Sequence, residues 1–238
     1  MAGLLLLFAH PDDESFFVAG TIARYSTAGV PIALVCATRG ERGSTADLCT
    51  IEELPRVREA ELLDAARVLG IQTVEMLPYE DQKLWSAPVD EIRRSLVAAI
   101  RRHRPEIVIT FDPNGGNRHT DHMSISQFAS DAIAAATDFR WYPETGPAHF
   151  IHRLLWQAPI LPFELGGTAD LAKQPGADIL IDIAPFRDKK LDALRAHRTQ
   201  FPGLNKIFSR EDALSLEGFR VAWGPRPQSV PANDLFAP

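Results

Sequence analysis

Short apolar runs alternate with longer amphipathic segments along the first half of the chain. The runs at residues 4–9, 31–37 and 107–111 are almost entirely apolar, which is typical of strands buried on both faces of a parallel sheet. A shorter strand is predicted at 72–77. Because strand, helix and strand follow one another within about 35 residues, the pattern predicts a right-handed βαβ unit. The amphipathic segments predict helices at residues 13–27, 52–69, 89–102 and 119–137.

The second half of the chain has a weaker pattern. Strands are predicted at residues 150–156 and 179–183, and a helix at 185–196. Prolines and glycines between these segments predict long loops, and the four prolines after residue 224 predict an extended, weakly ordered tail. The order of elements predicts an α/β fold, a three-layer sandwich with a mostly parallel sheet and helices on both faces. We expect one domain over residues 1–238, in which residues 1–137 form the βα core and residues 138–238 complete the pocket.

Composition excludes several classes of protein. The chain has 238 residues and a net charge of −6, which argues against nucleic acid or an anionic membrane as the main partner. No apolar stretch approaches the roughly 20 residues of a membrane span, and the N-terminal apolar run lacks the basic start of a signal peptide. The two cysteines, Cys36 and Cys49, are interpreted as free thiols in a reducing compartment. A cytoplasmic protein is therefore expected.

The first predicted strand leads directly into a cluster of charged residues. His10, Asp12, Asp13 and Glu14 place one imidazole and three carboxylates next to a buried element. Such a cluster is unfavourable unless its charge is compensated, and a divalent metal ion compensates it by turning the cluster into ligands. Taken alone, the same residues could instead cap the following helix.

A second cluster follows the fourth predicted strand. His119 and His122 lie on one side of a helical turn, with Asp121 between them. In an open parallel sheet both clusters lie at the carboxyl edge, where ligands bind. Two histidines and one carboxylate leave an open position on zinc, as a catalytic site requires. The spacing does not decide which of His119 and His122 is a ligand.

These residues resemble the LmbE-like, or PIG-L, family of zinc-dependent N-deacetylases. The resemblance is carried by the run from Ala9 to Glu14 and by the His-x-Asp-His motif of residues 119–122, and it extends over about residues 4 to 200. Further matching residues are Thr38, Gly40, Glu41 and Gly43, then Arg56 with Glu59, Asp81, and the run from His197 to Gln200.

The resemblance implies a Rossmann-like fold and a role for each matching residue. It implies that zinc is held by His10, Asp13 and His122, although iron(II) would suit the same ligands. It further implies that Asp12 is the general base and that His119, in protonated form, stabilises the oxyanion. The residues implied to contact substrate are Arg56, Asp81 and His197.

The expected activity is removal of an N-acyl group, an acetyl group above all, from an amino sugar or its conjugate. The partner would be that small molecule, and the Pro-rich C-terminal part could connect the subunits of a homo-oligomer. One alternative is a zinc amidase for a thiol conjugate or a longer acyl chain, whose pocket would be formed by loops 38–50, 141–146 and 159–174. A non-catalytic nucleotide-binding module is disfavoured, because the first turn carries negative charge instead of a Gly-x-Gly-x-x-Gly sequence.

Overall fold

A computed structural model describes residues 3–158, 177–202 and 215–238 of the chain. Within these ranges seven strands form one sheet in the order β3-β2-β1-β4-β5-β7-β6. Strands β1 to β5 pair in parallel, whereas β7 runs antiparallel between β5 and β6. The strands are β1 Leu4–Phe8, β2 Ile32–Thr38, β3 Thr73–Tyr79, β4 Ile107–Phe111, β5 Arg153–Ala158, β6 Ile179–Asp182 and β7 Leu216–Trp223.

Helices cover both faces of this sheet, as predicted. Helix α4 packs against α6, while α3 packs against α7 and α2. Every residue of β1 and β4 is buried, because helices on either side exclude water from both faces of these central strands. The helices are α1 Asp13–Phe17, α2 Ala19–Thr27, α3 Leu54–Leu69, α4 Val89–His103, α5 Gly115–Arg118, α6 Thr120–Ala136 and α7 Arg187–Ala196.

The segment predicted as one helix over residues 13–27 is two helices separated by Val18. The buried carboxylate of Glu217, on β7, accepts hydrogen bonds from the backbone N–H groups of Gly20 at 3.0 Å and Thr21 at 2.7 Å. These bonds satisfy two N–H donors in the first turn of α2, which would otherwise lack partners. Glu217, nearly 200 positions away, therefore stabilises the interruption between α1 and α2. The local spacing of apolar residues could not reveal this contact.

The C-terminal tail was predicted to be weakly ordered, and this prediction was wrong. Leu235 is fully buried. The buried guanidinium of Arg153, on β5, donates hydrogen bonds to the carbonyl oxygens of Pro225 at 2.7 Å, Leu235 at 2.8 Å and Ala237 at 2.5 Å. The prolines indicated an extended chain, but they carried no information about this distant arginine.

In the described part of the chain, no helix is long and apolar enough to cross a membrane.

Candidate active site

The two charged clusters meet at the carboxyl edge of the sheet, where they line one cavity of about 400 Å³. Strands β1 and β4 are hydrogen-bonded neighbours, so the turns that follow them lie side by side. The cavity is lined by six of the residues predicted from the sequence, namely His10, Asp12, Asp13, Asp81, His119 and His122.

Three of these side chains direct their donor atoms at one another. The Nε2 atom of His122 lies 3.2 Å from Nδ1 of His10 and 3.2 Å from Oδ1 of Asp13, and Nδ1 of His10 lies 3.7 Å from Oδ2 of Asp13. Tetrahedral ligands held at zinc-like distances are about 3.3 Å from one another. The spacing and the chemistry of this donor set therefore fit a metal ion.

Further contacts orient the rings of His122 and His10. The Nδ1 atom of His122 donates to the carbonyl oxygen of Gly115 at 3.0 Å, and the ring of Phe111 stacks on His122 with centroids 3.9 Å apart. The Nε2 atom of His10 lies 3.1 Å from a carboxylate oxygen of both Asp81 and Asp121. Such partners set the tautomer of a ligand and keep the other ring nitrogen facing the metal.

The electrostatics of the site favour positive charge. Burial alone would lower the pKa of His10, but hydrogen bonds and charge from Asp121, Asp81 and Asp13 outweigh burial and raise it to about 10. Burial would raise the pKa of Asp13, but His122 and His10 hold it at about 2. An excess of carboxylate around two imidazoles stabilises a divalent cation for the same reason.

His119 lies close to His10 and His122 but is held by a different contact. A ring nitrogen of His119 lies within 4.8 Å of ring nitrogens of both His10 and His122. However, the Nδ1 atom of His119 accepts the backbone N–H of Asp121 at 3.2 Å and so caps helix α6. Burial and the two neighbouring rings lower the pKa of His119. Because Nδ1 accepts a hydrogen bond, this geometry favours a neutral ring with its proton on Nε2, whereas the sequence-based expectation was the protonated form.

Asp12 has an unusual backbone conformation, with φ of 108° and ψ of −22°. Side chains other than glycine rarely adopt positive φ, and such strain costs about 1–3 kcal/mol where the surroundings impose it. The Asp12 carbonyl accepts hydrogen bonds from the backbone N–H groups of Ser15 at 3.0 Å and Phe16 at 2.8 Å. Burial raises the pKa of the Asp12 carboxyl to about 6, although Arg58 opposes this shift.

Arg58 holds the Asp12 carboxylate in place. Its guanidinium donates to Oδ2 of Asp12 at 3.2 Å, to the carbonyl oxygen of Gly40 at 2.8 Å and to that of Pro11. A side chain at Gly40 or Gly43 would overlap with this guanidinium, which explains the two glycines after β2. Arg56 was predicted to contact substrate, but it is exposed and is not among the residues lining the cavity. In the structure, Arg58 of helix α3 lies at the site and Arg56 does not.

Of the other two residues expected to contact substrate, Asp81 lines the cavity and His197 does not. Asp81 lines the cavity, where its carboxylate contacts His10 at 3.1 Å and accepts the backbone N–H of Arg42 at 3.0 Å. His197 is fully buried and does not line the cavity; its Nε2 atom lies 2.8 Å from Oε1 of Glu14. His197, which was expected to contact substrate, therefore lies behind the run from His10 to Glu14, because its ring packs against helix α1.

Several residues of the cavity were not predicted as site residues. Gln200 belongs to a run that the sequence singled out, and Arg42 and Gly43 to the glycine-containing loop after β2, but neither pattern indicated which members face the cavity. Loop 141–146 does not line the cavity, because its carbonyl groups at Trp141 and Tyr142 are bound by Arg101 near the C-terminal end of α4. Loop 159–174 lies outside the described residues. The residues missed are Phe16, Phe17, Arg42, Gly43, Arg58, Gln82, Asn117 and Gln200.

Known proteins resemble the chain in both sequence and fold. A protein of Thermobifida fusca named 1D-myo-inositol 2-acetamido-2-deoxy-alpha-D-glucopyranoside deacetylase is 31% identical, and the match covers 98% of each chain. A Bacillus anthracis protein named probable N-acetyl-alpha-D-glucosaminyl L-malate deacetylase 2 is 32% identical, over 83% of this chain and 81% of its own. The crystal structure of the conserved protein TT1542 from Thermus thermophilus is 27% identical and superposes with a TM-score of 0.74, over 94% of this chain and 96% of its own.

The family model described as PIG-L, GlcNAc-PI de-N-acetylase, matches residues 5–133, the part that contains His10, Asp13 and His122. The chain therefore belongs to the PIG-L family, in agreement with the motifs from which that family was expected.

Proposed function

We propose that this protein is a zinc-dependent deacetylase that hydrolyses the N-acetyl group of an amino-sugar conjugate. The observation that carries the proposal is the trio of His10, Asp13 and His122, which lies beside the carboxylate of Asp12 in one cavity. Two relatives that cover most of the chain are named as deacetylases of N-acetylglucosaminyl conjugates. Family membership, the ligand chemistry and the cavity therefore all support the same reaction.

The three ligands would hold the metal ion, and the side chains around it would handle protons and charge. When bound, the ion supplies Lewis acidity, which lowers the pKa of a water molecule and polarises a carbonyl group. The Asp12 carboxylate takes the proton of the water that attacks the amide carbonyl. The pKa of Asp12, about 6, is below neutral pH, so the carboxylate is ionised and can accept the proton. Because this pKa is above the usual carboxyl value, the group can return that proton to the leaving amine.

His119 would stabilise the oxygen of the amide as it becomes negative. Its Nδ1 atom is occupied by the backbone N–H of Asp121, so its Nε2–H is the donor available to the cavity. A neutral donor held in place before the reaction stabilises developing charge without reorganisation. The cavity walls would hold the sugar and its conjugate through Asp81, Arg42 and the side-chain amides of Gln82, Asn117 and Gln200.

A panel of N-acyl sugars tests the proposal. The panel contains N-acetylglucosamine joined to inositol, to malate and to a simple alkyl group, together with longer N-acyl versions. Each is incubated with protein loaded with zinc or with iron(II), and released amine is measured. We expect release from N-acetyl conjugates. Release from the longer N-acyl compounds alone would indicate an amidase for longer acyl chains instead of a deacetylase. No release from any compound would refute the amino-sugar deacetylase and leave the amidase for thiol conjugates as the alternative.

A further inference from the structure

The strained backbone of Asp12 is held by a side chain behind the cavity. The backbone N–H of Asp12 donates to Oε2 of Glu14 at 3.1 Å. Glu14 is fully buried and does not line the cavity. Its carboxylate therefore acts on the peptide of Asp12 and not on a molecule bound in the cavity.

The second oxygen of the same carboxylate is held by two donors. Oε1 of Glu14 accepts the hydroxyl of Ser15 at 2.5 Å and contacts Nε2 of His197 at 2.8 Å. The Nδ1 atom of His197 has no hydrogen-bond partner among the described residues, so the contact with Glu14 is the one that orients this ring. A chain of contacts thus runs from His197 through Glu14 to the peptide of Asp12.

His197 is itself held by the C-terminal part of the fold. It follows helix α7 directly, and its carbonyl oxygen accepts the backbone N–H groups of Gln200 and Phe201. Two residues later, the backbone N–H and hydroxyl of Thr199 donate to the buried carboxylate of Glu61 at 3.0 and 2.7 Å. The backbone of His197 is therefore fixed by the scaffold, as a residue that positions another residue must be.

We propose that Glu14 and His197 are positioning residues that hold the peptide of Asp12 in its left-handed conformation, so that the Asp12 carboxylate faces the cavity. The inference rests on the proposed role of Asp12 as general base. His197 then acts without contacting substrate, and Glu14 acts without binding the metal.

A matched pair of substitutions at His197 tests this inference. His197→Gln keeps an N–H donor close to the place of Nε2, whereas His197→Met has a similar length and no donor. We expect His197→Met to lower kcat by about 10- to 100-fold, as a misplaced catalytic group does, with KM and metal content unchanged. His197→Gln should retain most of kcat. His149→Met is the control, because His149 also donates from Nε2, to the carbonyl of Pro105, but lies outside the cavity lining.

A second readout needs no substrate. Hydrogen exchange of the Asp12 amide, measured by NMR, should be faster in His197→Met than in wild type and close to wild type in His197→Gln. Should His197→Met fail to fold, Glu14→Gln provides the same comparison, because one amide oxygen cannot serve both Asp12 and His197. Unchanged kcat and unchanged exchange in the Met variant would overturn the inference, as would a parallel loss of metal and activity. Normal turnover by Asp12→Asn would instead refute the base role, and the exchange readout would still decide the positioning role.

Discussion

The Nδ1 atom of His10 lies 3.2 Å from the Nε2 atom of His122, a residue 112 positions later in the chain. The parallel pairing of β1 with β4 produces this contact, because it aligns the turns in which the two strands end. Each turn alone contains an incomplete set of ligands. Their juxtaposition brings together three side chains whose chemistry fits a metal ion, at the sheet edge where parallel α/β proteins bind ligands.

Removing one ligand should release the metal, whereas removing the base should not. We expect His122→Ala to lose bound metal together with turnover, because two ligands remain of three. Asp12→Asn should lose turnover and keep the metal, since Asp12 is not part of the trio. Metal content of purified protein by mass spectrometry, alongside amine release, checks both outcomes. A full complement of metal in His122→Ala would contradict the ligand assignment.

The close approach of Gly40 to Arg58 predicts a specific loss. Gly40→Ala should displace the Arg58 guanidinium, which would overlap with the new Cβ atom, and so lower kcat while leaving the metal bound. Gly29→Ala is a matched control: Gly29 also has positive φ, of 80°, but nothing lies within 4 Å of a Cβ there. Backbone strain at positive φ should cost each variant about 1 kcal/mol of stability, but only Gly40→Ala should lose activity. Equal activity in the two variants would contradict this role of Arg58.

The ion pair of Glu75 predicts a pH dependence of stability. A hydrogen bond from His103, with help from Arg102, lowers the pKa of Glu75 from 4.5 to about 2. A lowered carboxyl pKa stabilises the fold at pH values above the unfolded pKa, and this contribution is lost as the pH falls from about 4.5 towards 2. Allowing for solvent screening, Glu75→Gln should cost about 1 kcal/mol at pH 7.

Urea unfolding of wild type and Glu75→Gln, measured between pH 7 and pH 3, checks this prediction. The difference in unfolding free energy should be constant near neutral pH and shrink below about pH 4.5. Glu52→Gln, at an exposed position, serves as the control and should show no such trend. A difference between wild type and Glu75→Gln that stays constant down to pH 3 would contradict the assignment.

The contacts of Arg153 predict that the C-terminal tail is required for stability. Deleting residues 235–238 removes the buried Leu235 side chain and two of the carbonyl oxygens that Arg153 contacts. Truncating a buried leucine alone costs about 2–5 kcal/mol, so the deletion should cost at least that much. Thermal unfolding of the deletion variant measures the loss. Substituting Arg153 by Met should cost more in the full-length protein than in the shortened one, and equal costs would mean that the tail contacts contribute nothing.

The accuracy of the sequence-based predictions depended on the range of the interactions involved. Strand β4 was predicted at the residues where it occurs, because an apolar run bounded by polar residues determines a buried strand locally. The resemblance pointed to Arg56, whereas Arg58 of the same helix contacts Asp12, because only the packing of that helix decides which of its arginines faces the cavity. The resemblance implied that His197 contacts substrate, and the sequence could not show its actual partner, because Glu14 lies 183 positions away.

The sequence by itself determined the parallel α/β order, the two strand-to-helix turns that carry histidines and carboxylates, and the family to which they belong. These features depend on the period of apolar residues and on short motifs, which are local properties of the chain. Only the tertiary structure decided that Nδ1 of His119 caps a helix, that Arg58 and Glu14 hold a strained Asp12, and that the C-terminal tail packs on Arg153. Each of these depends on which side of an element faces its neighbour, and packing across the sheet sets that orientation.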